Sequence, residues 1–145
     1  MGGEPRVTRR RPAGPEHEVV SVDGGPQFYR RSPCDECPWR TDQEGKFPPE
    51  AFLHSAETAY DMSDHLFACH MSTVDAPLTC AGFLLRGAFH NLAFRMNVVR
   101  GRIDPERVHD GGHMLHPDYR AMAVANGCSP DDPRLAPCRG AGYDE

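Results

Sequence analysis

Cys34-Asp35-Glu36-Cys37-Pro38-Trp39-Arg40 places two thiols two residues apart, with the chain's single tryptophan close behind. Thiolates are the soft ligands of zinc and iron, and C-x2-C is a common tight half of a tetrahedral site. A second half is available downstream, where Cys69 and Cys80 stand with ten residues between them. Tetrahedral thiolate centres combine such a pair with a partner pair brought in by the fold. The expected ligands are therefore Cys34, Cys37, Cys69 and Cys80, with His70 as a substitute ligand or as a hydrogen-bond partner of one. Zn2+ fits this donor set, and a [4Fe-4S] cluster is the alternative, because iron–sulfur ligand runs also place proline directly after cysteine.

Two other chemistries fit less well. A thioredoxin-like dithiol needs its pair at a helix start after a strand, and no such frame precedes Cys34. Pro33-Cys34-x2-Cys37 matches half of the zinc-deaminase signature, but the other half is H-x-E. Here His17 is followed by Glu18 and Val19, so the general acid–base is missing. His109, His113 and His116 lie around Gly111-Gly112, a pair that breaks any helix able to align them, so they read as a solvated loop. Cys128 and Cys138 flank a proline-rich stretch and read as free thiols of a loose tail. Arg86, His90 and Asn97 share one polar helix face and read as solvent-facing.

The elements that must position these residues are mostly helical. Pro48-Pro49-Glu50 opens a helix running to about residue 61, with proline in the first turn and Phe52, Ala56, Ala59 and Tyr60 on its apolar face. Ala81, Leu85, Ala88, Leu92, Met96 and Val99 recur in steps of three and four and predict one central amphipathic helix over 79–100, stopped by Gly101. A shorter helix is expected over 117–126. Gln27 to Arg30 reads as a short extended entry into the cysteine loop, and alternating strand patterns are lacking. The expected fold is a small α-rich, irregular, metal-stabilised domain over 27–127 with little or no sheet. Residues 1–26, including the basic Thr8 to Arg11, read as a disordered tail, and 128–145 as a loose one.

Composition narrows the class. At 145 residues the chain suits one domain. Its 14 glycines and 14 prolines imply long irregular segments, and a net charge of -5 argues against general coating of nucleic acid. The N-terminus lacks the apolar core of a secretory signal, and no run of about 18 apolar residues exists. A cytoplasmic protein with no membrane partner is expected, and there six cysteines call for metal rather than disulfides.

Cys34-x2-Cys37-Pro38-Trp39-Arg40, Gly45-x-Phe47-Pro48, Phe67-Ala68-Cys69-His70 and Cys80-Ala81-Gly82-Phe83 together resemble an uncharacterised CPWR-motif family of high-GC bacteria and their phages. The likeness covers about residues 28 to 100. C-x2-C-P alone is also similar to elements of WhiB-like regulators and cluster-containing uracil-DNA glycosylases. The CPWR resemblance implies a small cysteine-rich domain with the four cysteines and His70 at its shared core, and brings no reaction. The expected function is a non-enzymatic binding or regulatory module with a protein or nucleic-acid partner. The alternative is a [4Fe-4S] redox, sensing or nucleic-acid-processing protein.

Overall fold

Short elements joined by turns follow from a chain so rich in glycine and proline. The computed structural model describes residues 6–14, 17–23, 28–69, 71–72 and 76–140. Its elements are β1 (Arg6–Gly14), β2 (His17–Asp23), β3 (Phe28–Tyr29), α1 (Pro49–Ser55), β4 (Leu78–Thr79), α2 (Ala81–Arg86), α3 (Leu92–Val99) and α4 (Tyr119–Ala125). β1 and β2 form an antiparallel hairpin, and β3 pairs with β4 in parallel. The fold is therefore mixed, and the expectation of little or no sheet does not hold.

α1 begins as its sequence dictates, with Pro49 at the first turn and Glu50 beside the positive helix end. It tightens into a 3-10 turn over Ala56–Ala59, which buries Ala56, Thr58 and Ala59. α4 is capped by Asp118, whose carboxylate accepts the Ala121 N–H at 2.8 Å. The Tyr119 hydroxyl donates to the Phe52 carbonyl at 2.7 Å and ties α4 to α1 across the core. Trp39, Phe83, Tyr119, Ile103, Met122 and Leu135 are fully buried around this junction.

The single helix predicted over 79–100 is broken in two. α2 ends at Gly87, whose N–H donates to Phe83, and α3 starts only after Asn91. The apolar steps continue through the break, but the backbone there has other partners. The His90 carbonyl accepts from Met62, and the Leu92 N–H donates to Ser63. Asn91 decides the restart. Its side-chain oxygen caps Phe94 at 2.9 Å, and its amide donates to Thr58 at 3.0 Å and His65 at 2.7 Å. A fully buried Asn with three such bonds is worth more as a cap than as a mid-helix residue.

Both expected tails carry structure among their described residues. Residues 6–14 and 17–23 form the hairpin, which docks on α1. Arg9 pairs with Glu57 at 2.7 Å, Arg11 donates to the His54 carbonyl at 2.8 Å, and Ala13 is buried. At the other end Leu135 and Cys138 are buried, and Cys138 bridges Tyr60. Arg120 holds this segment by donating to the carbonyls of Leu135 and Cys138. The domain thus runs on past residue 127. Among the described residues no helix is long and apolar enough to cross a membrane.

Candidate functional site

The four expected cysteines come from three backbone devices. Cys34 and Cys37 close a turn in which the Cys37 N–H donates to the Cys34 carbonyl at 3.2 Å. A second turn follows, with the Arg40 N–H on the Cys37 carbonyl at 3.1 Å. Cys69 and Cys80 belong to two strand-like segments bridged antiparallel at Ala68 and Thr79. The Cys69 N–H donates to Leu78 at 2.6 Å and the Cys80 N–H to Phe67 at 2.9 Å. Alternation about the bridge puts Cys69 and Cys80 on the same side of this ribbon. Cys80 also opens α2, but its side chain makes no capping bond. Its sulfur is therefore left for the other thiols.

Those thiols meet. The Cys37 and Cys80 sulfurs are 3.7 Å apart, and Cys34 is within hydrogen-bonding reach of both Cys37 and Cys69. All four are buried and carry no disulfide. Contact runs in the order Cys69, Cys34, Cys37, Cys80. Among the described residues, no group of three or more His, Cys, Asp or Glu is already arranged to hold a metal ion.

The grouping raises the cost of charging Cys34, Cys37 and Cys69. For Cys37 the hydrogen bond from Cys34 favours the thiolate, but contact with Cys80 and burial outweigh it and push the pKa up to about 12. Cys69 is raised by its contact with Cys34 and then by burial, and Cys34 chiefly by its bond with Cys37. Thiols held this close to one another stay protonated until a cation replaces the protons.

Trp39 lies against α2, and two glycines explain how. A Cβ on Gly82 would stand 2.4 Å from Trp39 Cβ, and one on Gly87 would stand 2.6 Å from the far edge of the indole. The ring also packs edge-on against Phe67 at 6.1 Å and Tyr119 at 5.7 Å. It is fully buried beside the element that Cys80 opens, as its place two residues after Cys37 suggests. Arg40 neither faces outward nor stacks on the ring. It turns back under the cysteine loop, donating to the carbonyls of Cys34 at 3.2 Å and Asp35 at 3.3 Å. A bidentate pair with Asp42, at 2.8 and 2.7 Å, fixes its other edge and holds the Asp42 carboxyl below the usual range.

Arg30 was not legible as a site residue. Its backbone N–H donates to the Thr79 carbonyl at 3.0 Å, which extends the β3–β4 pairing by one residue. Its Nε then reaches Cys69 Sγ at 2.9 Å. Only a basic residue four positions before Cys34 hinted at this, and arginines are common at that end of the chain.

The other candidates divide. His70 lies outside the described residues. His109 is exposed, but His116 is buried, with its N–H on the Trp39 carbonyl at 2.9 Å. The solvated loop therefore ends in a packed residue. His90 and Asn97, expected to face solvent, are buried as well. Cys128 and Cys138 are buried under α1, each donating its thiol to a backbone carbonyl, of Pro49 at 3.3 Å and of Ala56 at 3.7 Å.

Residues 29–139 match a family of unknown function, DUF6283. The chain belongs to that family. The match takes in Arg30, all six cysteines and residues 128–139 of the C-terminal segment read from sequence as a tail. No curated protein and no solved structure matches the chain.

Proposed function

We propose that Cys34, Cys37, Cys69 and Cys80 bind one zinc ion. The domain is then a non-enzymatic binding or regulatory module of the cytoplasm, its metal structural and its partner a protein or a nucleic acid. The observation that carries this reading is the 3.7 Å between the Cys37 and Cys80 sulfurs. Two thiolates on one tetrahedral zinc, each about 2.3 Å from the metal, stand about 3.8 Å apart. In a [4Fe-4S] cluster each cysteine binds a different iron, so its sulfurs are spread more widely. The short separation favours a single ion. Binding would draw Cys69 and Cys34 in towards the Cys37–Cys80 pair, with His70, next in sequence to Cys69, as alternative ligand or hydrogen-bond partner.

Metal analysis of anaerobically purified protein is the test. About one zinc per chain and a colourless solution are expected. Four irons with matching sulfide, and a brown protein with quenched Trp39 emission, would replace this reading with the iron–sulfur one. Protein that neither retains nor takes up either would overturn both.

A further inference from the structure

Four thiolates around one divalent cation leave two negative charges in a buried place, which is costly unless something answers them. Arg30 is set to do so. Its Nε stands 2.9 Å from Cys69 Sγ, and its charge is close enough to act on Cys34 and Cys80 as well. A guanidinium does not lose its proton in proteins, so the charge is permanent. The main chain of Arg30 is fixed by its bond to Thr79, one residue before Cys80, so the cation and the ligand strand move as a unit.

We propose that Arg30 is a positioning and protecting residue of the thiolate centre, which donates to Cys69 and slows both metal release and attack of electrophiles on that sulfur. The inference rests on the four-cysteine reading above. A thiolate that accepts an N–H bond has less electron density to offer an electrophile. Cys69, like Cys80, touches a single other sulfur, so it has less shelter than Cys34 or Cys37. Arg30 supplies the shelter that the sulfurs do not. Loss of such outer partners typically costs about 10–100-fold in metal affinity.

The experiment compares zinc-loaded wild-type protein with Arg30→Gln and Arg30→Lys. Zinc transfer to a chromogenic chelator gives retention, and iodoacetamide labelling mapped by mass spectrometry gives the reactivity of each cysteine. R30Q is expected to hold zinc about 10–100-fold more weakly, with labelling rising first at Cys69. R30K keeps the charge but not the planar N–H, so it should recover much of the retention and less of the protection. If R30Q does not fold, R30K against wild type still reads the labelling at Cys69. Loaded variants that match wild type in both readouts would overturn the role of Arg30 alone. Wild-type protein without metal would overturn the centre, and this inference with it.

Discussion

Six cysteines of this chain are buried, yet they are buried in two different ways. Cys34, Cys37, Cys69 and Cys80 face one another, sulfur to sulfur, with a guanidinium against the outermost. Cys128 and Cys138 each face a backbone carbonyl of the α1 region, donating a thiol hydrogen as a small polar group would. Burial alone does not mark a site, since cysteine packs well as a small hydrophobe. What separates the two sets is the neighbour. Sulfurs that share their surroundings raise the cost of one another's charge and so invite a cation, whereas a sulfur under a carbonyl is already satisfied.

The sharpest way to break that distinction is to remove one sulfur from each set. Cys37→Ser should lose metal and cooperative folding together, because metal binding in such centres contributes about 10–16 kcal/mol in small zinc domains, as large as a whole domain's stability. Cys138→Ala should keep full metal content and cost about 1 kcal/mol, the scale of one deleted methylene in a core. Metal analysis and urea unfolding of both variants decide the matter. Equal metal loss in the two would mean that the C-terminal thiols belong to the centre.

Next in size is the packing that holds the cysteine loop to α2. Gly82→Ala sets a methyl 2.4 Å from Trp39 Cβ, an atom next to the backbone that cannot swing away. Overpacking of this kind costs about 1–3 kcal/mol, occasionally more. The substitution should also weaken metal retention, since Trp39 and Cys37 are two residues apart. Thermal unfolding and single-tryptophan emission would register both effects. A Gly82→Ala protein as stable as wild type would show that the loop and α2 are not pressed together.

A smaller effect separates the hairpin from the domain proper. The family match starts at residue 29, after the hairpin. Its grip on the α1 region uses one small buried residue, Ala13, a hydrogen bond from Arg11 to the His54 carbonyl, and part-exposed ion pairs to Glu57 in the following 3-10 turn, which are worth about 0–1 kcal/mol each. Removing residues 1–26 should therefore lower stability by about 1–2 kcal/mol at most and leave metal content unchanged. A collapse of the melting transition would make the hairpin part of the core.

How much of this was legible in the sequence depends on the kind of signal. The cysteine spacing brought out four residues that the fold gathers; proline and glutamate located the start of α1, though not its end, and proline and glycine located α4 to within two residues at each end. The apolar steps through 79–100 were misleading because periodicity says which face is buried, not whether the backbone is continuous. Asn91 and Gly87 interrupt it through contacts with residues far away in sequence. The tails were misread for a related reason. Leu135, Cys138 and Ala13 are isolated apolar residues among prolines and charges, and only the tertiary partners Tyr60, Ala56 and α1 make them core. Arg30 was beyond reach, since a side-chain contact across 39 residues leaves no local pattern.

The smallest effect expected is a dependence on pH, and it belongs to neither set of thiols. His116 is buried, and burial holds its pKa below the ordinary 6.5, although Glu44 at 3.6 Å from its ring works the other way. A histidine with a depressed folded pKa takes up its proton more readily when the chain is unfolded. Its contribution to stability is thus fully present above the unfolded value of 6.5 and is lost as pH falls below it. Urea unfolding of wild type and His116→Asn between pH 7.5 and about 5 should show the wild type losing stability more steeply. Protonation of the cysteine ligands also weakens the protein in acid, but it does so in both, so the difference in slope belongs to His116. Equal slopes would mean that the Glu44 carboxylate compensates the burial in full, and that this histidine is as indifferent to acid as an exposed one.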